Sequence, residues 1–205
     1  MEREYGNKRS WGRWSGRDGR YMRESDPLYE ELAARIKARL DRRMNVLELA
    51  CGTGLLSQRI AGSVRNLEAT DDASEKIEAA KRKPHSVRLH YSVQDAAHLP
   101  YGPETFDAVV AVNALHIMPE PEQVLREAHR VLKRGGLLIA SMFVSGEGSG
   151  LRPRSRRMGG FKACYHWDAQ GFEHLVSQCG FTAGACVMLD SGAAPLCYLE
   201  ARRPE

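Results

Sequence analysis

Gly52 and Gly54 stand in a short turn, Ala50-Cys51-Gly52-Thr53-Gly54, between an apolar run of strand character, Val46-Leu47-Glu48-Leu49, and an amphipathic segment carrying Leu55, Leu56, Ile60 and Val64. A turn that tight needs residues with little side-chain bulk, because the backbone takes unusual dihedrals and lets a ligand approach the main chain. The helix that follows aims its free N–H groups back at the same space. Asp71 ends a second strand-like run, Leu67-Glu68-Ala69-Thr70-Asp71, 17 residues beyond Gly54. That distance is close to the one at which a nucleotide-binding βαβ unit places the carboxylate that accepts both ribose hydroxyls. A solvent-facing acid at a strand end is the alternative reading of Asp71, and the adjacent Asp72 is a second candidate for the same contact. The chemistry these residues could do is the binding of a nucleotide-type ligand.

The elements that must hold them alternate regularly. Asp26-Pro27 is a helix start, and Leu28, Leu32, Ile36 and Leu40 recur on one face of a segment running to about Arg43. After the second strand, the pattern predicts a short helix over 73–82, stopped by Pro84, and a third strand over 87–92. Phe106 to Val112 is nearly continuous in apolar residues, the mark of a central parallel strand covered on both faces. Pro121 opens a helix with Val124, Leu125, Ala128, Val131 and Leu132 at helical spacing, which Gly135-Gly136 is expected to stop before a fifth strand, Leu137 to Phe143. A helix near 169–179 and two strand-like runs, 181–189 and 196–201, close the chain and predict an edge hairpin. Such alternation specifies an open α/β sheet with a crevice at the carboxyl ends of its strands.

Composition bounds the setting. A chain of 205 residues with 42% hydrophobic and 27% charged residues is that of one globular domain, here expected to span 25–205 behind a flexible, polar arm at 1–24. No apolar stretch approaches the roughly 18 residues of a membrane span, and the polar N-terminus lacks a signal-peptide core, so an intracellular, cytoplasmic protein away from membranes is expected. Five cysteines with no Cys-x-x-Cys pair argue against a disulfide framework or a zinc ribbon, and no metal site is expected; Cys186 and Cys197 read as buried thiols in strands. The net charge of +4 is concentrated in the arm, from Arg3 to Arg23, and in a Gly-rich stretch, 145–162, carrying Arg152, Arg154, Arg156, Arg157 and Lys162. Runs of this kind are solvated surface or meet an acidic partner.

Taken together, Glu48-Leu49-Ala50-Cys51-Gly52-Thr53-Gly54, the acid at Asp71, Gln94-Asp95-Ala96, and Asn113-Ala114-Leu115-His116 leading to Arg130-Val131-Leu132-Lys133-Arg134-Gly135-Gly136 resemble a class I S-adenosylmethionine-dependent methyltransferase. The resemblance covers most of residues 26–202. It implies the Rossmann-like fold of that family, a mostly parallel seven-stranded sheet with helices on both faces and a C-terminal antiparallel hairpin. It also implies S-adenosyl-L-methionine as cofactor and S-adenosyl-L-homocysteine as product. By position, Ala50, Cys51, Gly52 and Gly54 would lie against the methionine part, with Glu48 steadying the turn through hydrogen bonds. Asp71, or Asp72 beside it, would hold the ribose. Asp95 would accept the adenine amine while the Ala96 backbone meets the ring, and Asn113 and Leu115 would border the methionine and the methyl group. Ala50 replaces the family's commoner glycine.

A sulfonium methyl is already activated, so such a site must chiefly align an attacking lone pair. A base is needed only for a nucleophile that arrives protonated, and His116, at the mouth of the crevice, is the candidate catalytic residue. The other histidines read as surface or packing residues. Asn113 is followed by Ala114-Leu115 and not by the Pro-Pro-aromatic sequence of amino-group methylation in DNA or glutamine, which points to a small-molecule acceptor. The basic 145–162 stretch lies where the family builds a substrate lid, and its charge suits an anionic acceptor. Methylation of RNA, with Trp11 and Trp14 as stacking groups in the basic arm, is a competing reading, as is a non-catalytic S-adenosylmethionine-binding protein. A nicotinamide-binding Rossmann protein is disfavoured, because Ser57 holds the position where that fingerprint needs Gly or Ala.

Overall fold

The computed structural model describes residues 27–144, 165, 167–189 and 195–205. The arm at 1–24 and the basic 145–162 stretch lie outside the described residues. Helix α1 is Pro27–Arg39, with Pro27 in the first turn and Leu28, Leu32, Ala33 and Ile36 buried along one side. Strand β1 (Asn45–Leu49) runs into the glycine turn and helix α2 (Leu55–Ile60), which ends in a 3₁₀ turn at Ala61–Ser63. Then follow β2 (Asn66–Asp71), α3 (Ser74–Lys81), β3 (Leu89–Val93), β4 (Phe106–Val112), a 3₁₀ turn at Leu115–Ile117, and α4 (Pro121–Val131). The chain continues through β5 (Leu132–Phe143), α5 (Ala169–Gln178), β6 (Thr182–Ala183), β7 (Val187–Leu189) and β8 (Leu196–Arg202).

The strands form one sheet in the order β3-β2-β1-β4-β5-β8-β6, with β7 also paired to β8. The first five strands are parallel to their neighbours; β8 runs antiparallel to β5, β6 and β7. Strand alternation gives the sheet two apolar faces. Val46, Ala108, Val110, Leu137 and Ile139 pack with α1, α2 and α3 on one, and Leu47, Leu49, Val109, Leu138 and Ala140 with α4 and α5 on the other. Among the described residues no helix is long and apolar enough to cross a membrane.

Three details depart from the expected pattern. Among the described residues the sheet has eight strand segments where seven were expected, because the late run over 181–189 is broken at Gly184-Ala185-Cys186, leaving β6 and β7 end to end against β8. Helix α4 stops at Val131 and not at the glycine pair: β5 begins at once with Leu132 opposite Phe106, and the register then jumps so that Ala108 faces Leu137. The bulge between these pairings absorbs Gly135 at φ +68° and Gly136, where a Cβ would lie 2.6 Å from the Lys133 carbonyl. Finally, Cys186 and Cys197 are not free thiols but a disulfide with Cα atoms 5.6 Å apart, since the break in the outer strand sets Cys186 beside its partner on β8.

Candidate functional site

The glycine turn follows from three consecutive left-handed demands. Ala50, Gly52 and Gly54 have φ of +52°, +58° and +80°, a region that disfavours a Cβ. The Cys51 N–H donates to the Thr70 carbonyl at 2.9 Å and the Gly54 N–H to the Cys51 carbonyl at 3.0 Å, which folds the turn against the end of β2. From outside, the Lys83 ammonium donates to the Thr53 carbonyl at 3.0 Å. The two glycines face different surroundings. A Cβ on Gly52 would meet nothing within 4 Å, so its main chain borders open space. A Cβ on Gly54 would strike the ring of Tyr91, with Cζ only 2.7 Å away.

Asp71 is buried, which removes the reading of a solvent-facing strand end, and it is tied to the turn. Its Oδ2 accepts the Gly52 N–H at 2.9 Å, its Oδ1 accepts the Ala73 N–H at 3.0 Å, and Lys76 stands 3.4 Å from Oδ1. A carboxylate has about four lone-pair sites, so each oxygen keeps capacity for a ligand hydroxyl. Asp72 is exposed at the surface beside it. Glu48 lies deeper. Its carbonyl accepts the Thr70 hydroxyl at 3.0 Å, while its carboxyl is enclosed next to Ser57 and its Oε2 makes no direct protein hydrogen bond. Burial pushes this carboxyl up to about 7; the Ser57 hydroxyl offsets part of the rise and the Asp71 charge adds to it. Burial, reinforced by Glu48 and Asp71, also holds the free Cys51 thiol protonated well above the ordinary thiol range.

The next strand ends supply the remaining candidates. Asp95, after β3, is exposed and accepts the Ala97 N–H at 2.9 Å, with His98 Nδ1 at 3.1 Å. That carboxylate raises the pKa of His98. Ala96 is half-buried beside it. At the end of β4, Asn113 takes φ +52°, a conformation that asparagine tolerates better than most residues, and donates its N–H to the Ser141 carbonyl at 2.7 Å. Its side-chain Oδ1 is enclosed and without a direct protein partner. Leu115 is wholly buried in the core beneath α4, so its side chain packs the interior and only its main chain can serve a ligand. His116 is half-buried in the 3₁₀ turn, and its carbonyl accepts the Tyr165 N–H at 2.8 Å.

Sequence reasoning named the turn and the acids but missed the aromatic groups around them. Tyr91 lies within the expected third strand and carries no signal of its own in sequence. Tyr29 falls at helical spacing from Leu32, Ala33 and Ile36, which was a usable signal. Its hydroxyl is pushed far above the usual tyrosine range by burial first and by the Glu48 charge second, and the Arg59 guanidinium lies 5.4 Å from its ring centroid. Arg59 also bonds Glu30 at 2.7 Å and the Leu55 carbonyl at 2.9 Å, fastening α1 over α2. On the far side, Tyr165 stacks on Trp167 at 5.1 Å and donates its hydroxyl to the Pro119 carbonyl at 2.9 Å, enclosing the His116 turn. An open groove of about 500 Å³ lined by His98, Pro119, Glu120, Gln123 and Arg126 lies beyond it.

Comparison with known proteins is consistent with this arrangement. A family model described as a methyltransferase domain matches residues 47–140. The phosphatidylethanolamine N-methyltransferase of Cereibacter sphaeroides is 35% identical over 149 residues, covering 68% of this chain and 70% of that protein. The methyltransferase GfsG of Streptomyces halstedii is 32% identical over 136 residues, 59% of this chain, but the chain spans only 48% of that relative's length. In three dimensions, the 1,6-didemethyltoxoflavin-N1-methyltransferase of Burkholderia thailandensis, solved with 1,6-didemethyltoxoflavin and S-adenosylhomocysteine, superposes with a TM-score of 0.76 at 17% identity, covering 100% of this chain and 94% of that one.

Proposed function

The chain belongs to the class I S-adenosylmethionine-dependent methyltransferases, and from that premise we propose that it methylates a small-molecule acceptor using a cofactor held at the glycine turn. One observation carries the reading: the main chain at Gly52 borders open space and is flanked by the left-handed Ala50 and the buried Asp71. Those residues fit the cofactor, because the space before Gly52 can take an amino-acid tail and the strand-end acids, Asp71 tied to the turn and Asp72 exposed beside it, stand where a ribose would lie. Asp95 would accept the adenine amine. The enclosed Oδ1 of Asn113 faces no protein donor and suits the cationic end of the molecule. When bound, the cofactor supplies an electrophilic methyl.

What remains for the chain is alignment, which can account for roughly 7–11 kcal/mol of barrier in well-oriented systems. Asn113 and the His116 turn, closed by Tyr165 and Trp167, form the acceptor side. His116 would take the proton from a hydroxyl or ammonium nucleophile. The arginines from Arg152 to Arg157 supply charge for an anionic acceptor. Calorimetry with S-adenosylmethionine and S-adenosylhomocysteine tests the reading, and binding of neither would overturn it. Asp71→Ala should lower affinity by about 2–3 kcal/mol through loss of charge-assisted hydrogen bonds. Unchanged affinity would move the ribose contact to another acid. A metabolite screen read by methyl transfer then identifies the acceptor.

A further inference from the structure

A polar cluster lies under the turn where Tyr91 meets Gly54. The Glu48 Oε2, Ser57 Oγ, Gln58 Nε2 and Tyr91 hydroxyl are all enclosed, and none makes a direct protein hydrogen bond. They are neighbours: Ser57 adjoins both Glu48 and Tyr91, and Gln58 adjoins Tyr91. Leaving four such groups in a packed interior costs stability unless they serve one another or a ligand. Tyr91 also fills the volume that a Gly54 side chain would need, so its ring is the floor on which the turn rests.

We propose that Tyr91 is a positioning residue for the cofactor site, its ring holding Gly54 and the first turn of α2 in place while its hydroxyl joins Ser57 and Gln58 in keeping Glu48 oriented beneath the turn. The inference rests on the cofactor reading above. A phenylalanine keeps the ring but removes the hydroxyl oxygen, which is both the Tyr91 atom nearest the place of a Gly54 Cβ and the polar neighbour of Ser57 and Gln58, so the substitution tests the hydroxyl in both roles. The charged and titratable groups around Glu48 are Tyr29 from α1, which itself meets Arg59 of α2, Cys51 in the turn, Asp71 with Lys76 behind it, and Tyr91.

The test compares the parent chain with Tyr91→Phe in two measurements. In amide hydrogen exchange, the variant should exchange faster across Gly54–Gln58. In calorimetry, S-adenosylmethionine affinity should fall by about three- to tenfold, the scale of removing one buried polar group. The pH dependence of that affinity, read across the range around pH 7 in which Glu48 titrates, should differ from the parent's. Parental exchange would overturn the proposal. Faster exchange with parental affinity and pH profile would also overturn it, leaving Tyr91 a packing residue only. A parent that binds no S-adenosylmethionine removes the functional reading instead, and the exchange measurement alone then decides whether Tyr91 holds the turn.

Discussion

The β1–α2 turn and the β6–β8 edge are both irregular, but each is held irregular by different means. At the turn, left-handed residues are kept in place by the hydrogen bond that Gly52 donates to Asp71 and by the ring of Tyr91 below. At the edge, a broken strand is held by a covalent bond between Cys186 and Cys197, with the Cys186 N–H donating to Glu173 of α5 at 2.6 Å. Strain maintained by non-covalent partners collects at sites that meet ligands, whereas the edge carries its irregularity as a clamp. The contrast predicts that changes at the turn affect ligand binding and changes at the edge affect stability alone.

The largest expected effect is at Gly54. Gly54→Ala forces a Cβ into Tyr91 at a left-handed φ and should cost about 3 kcal/mol or more in chemical denaturation. Cys186→Ser, measured without reductant, should cost about 2–3 kcal/mol for a loop of this size and leave S-adenosylmethionine affinity at the parental value. A shift in affinity would break the contrast. Gly52→Ala meets no protein atom, so it should cost only about 1–2 kcal/mol of stability while abolishing cofactor binding.

Proton linkage separates the regions as well. Glu48 is raised on folding to about 7, so its contribution is full below its unfolded value, near 4.5, and is lost as pH rises through 7. His129, against Phe181 and Gly180 near the edge, is lowered by burial and by Arg203. Its contribution is full above its unfolded value, near 6.5, and is lost as pH falls through the lower folded value. Melting temperatures across pH 4–8 should therefore flatten on the alkaline side in Glu48→Gln and on the acid side in His129→Gln. The smallest effect is expected at Ala50, where Ala50→Gly relieves a left-handed alanine and should stabilise by about 0.5 kcal/mol.

The same contrast explains what could be read from residues in a row. The turn is local: glycines, a preceding apolar strand and an acid at fixed distance lie within one βαβ unit, and each carries its physical reason in its own type. Strands, helices and strand-end acids were legible for the same cause. The polar floor under the turn was not, because Ser57, Gln58 and Tyr91 meet only when β3 pairs beside β2. Nor was the disulfide, which depends on a break in the outer strand that Gly184 permits without announcing. The early end of α4 escaped because Leu132 is equally apolar as the last residue of a helix or the first of a strand.

The position of β8 has a consequence in time. It follows every other described strand in sequence, yet it lies between β5 and the outer pair, and Arg203 just after it donates to the carbonyls of His129 and Arg130 at the end of α4 and of Leu132 at the start of β5. A chain emerging from the ribosome can therefore assemble its parallel strands and its glycine turn while β5 still shows an unpaired apolar edge. Closure waits for β8, and the interval before it arrives is the moment at which nascent chains are most exposed to pairing with one another.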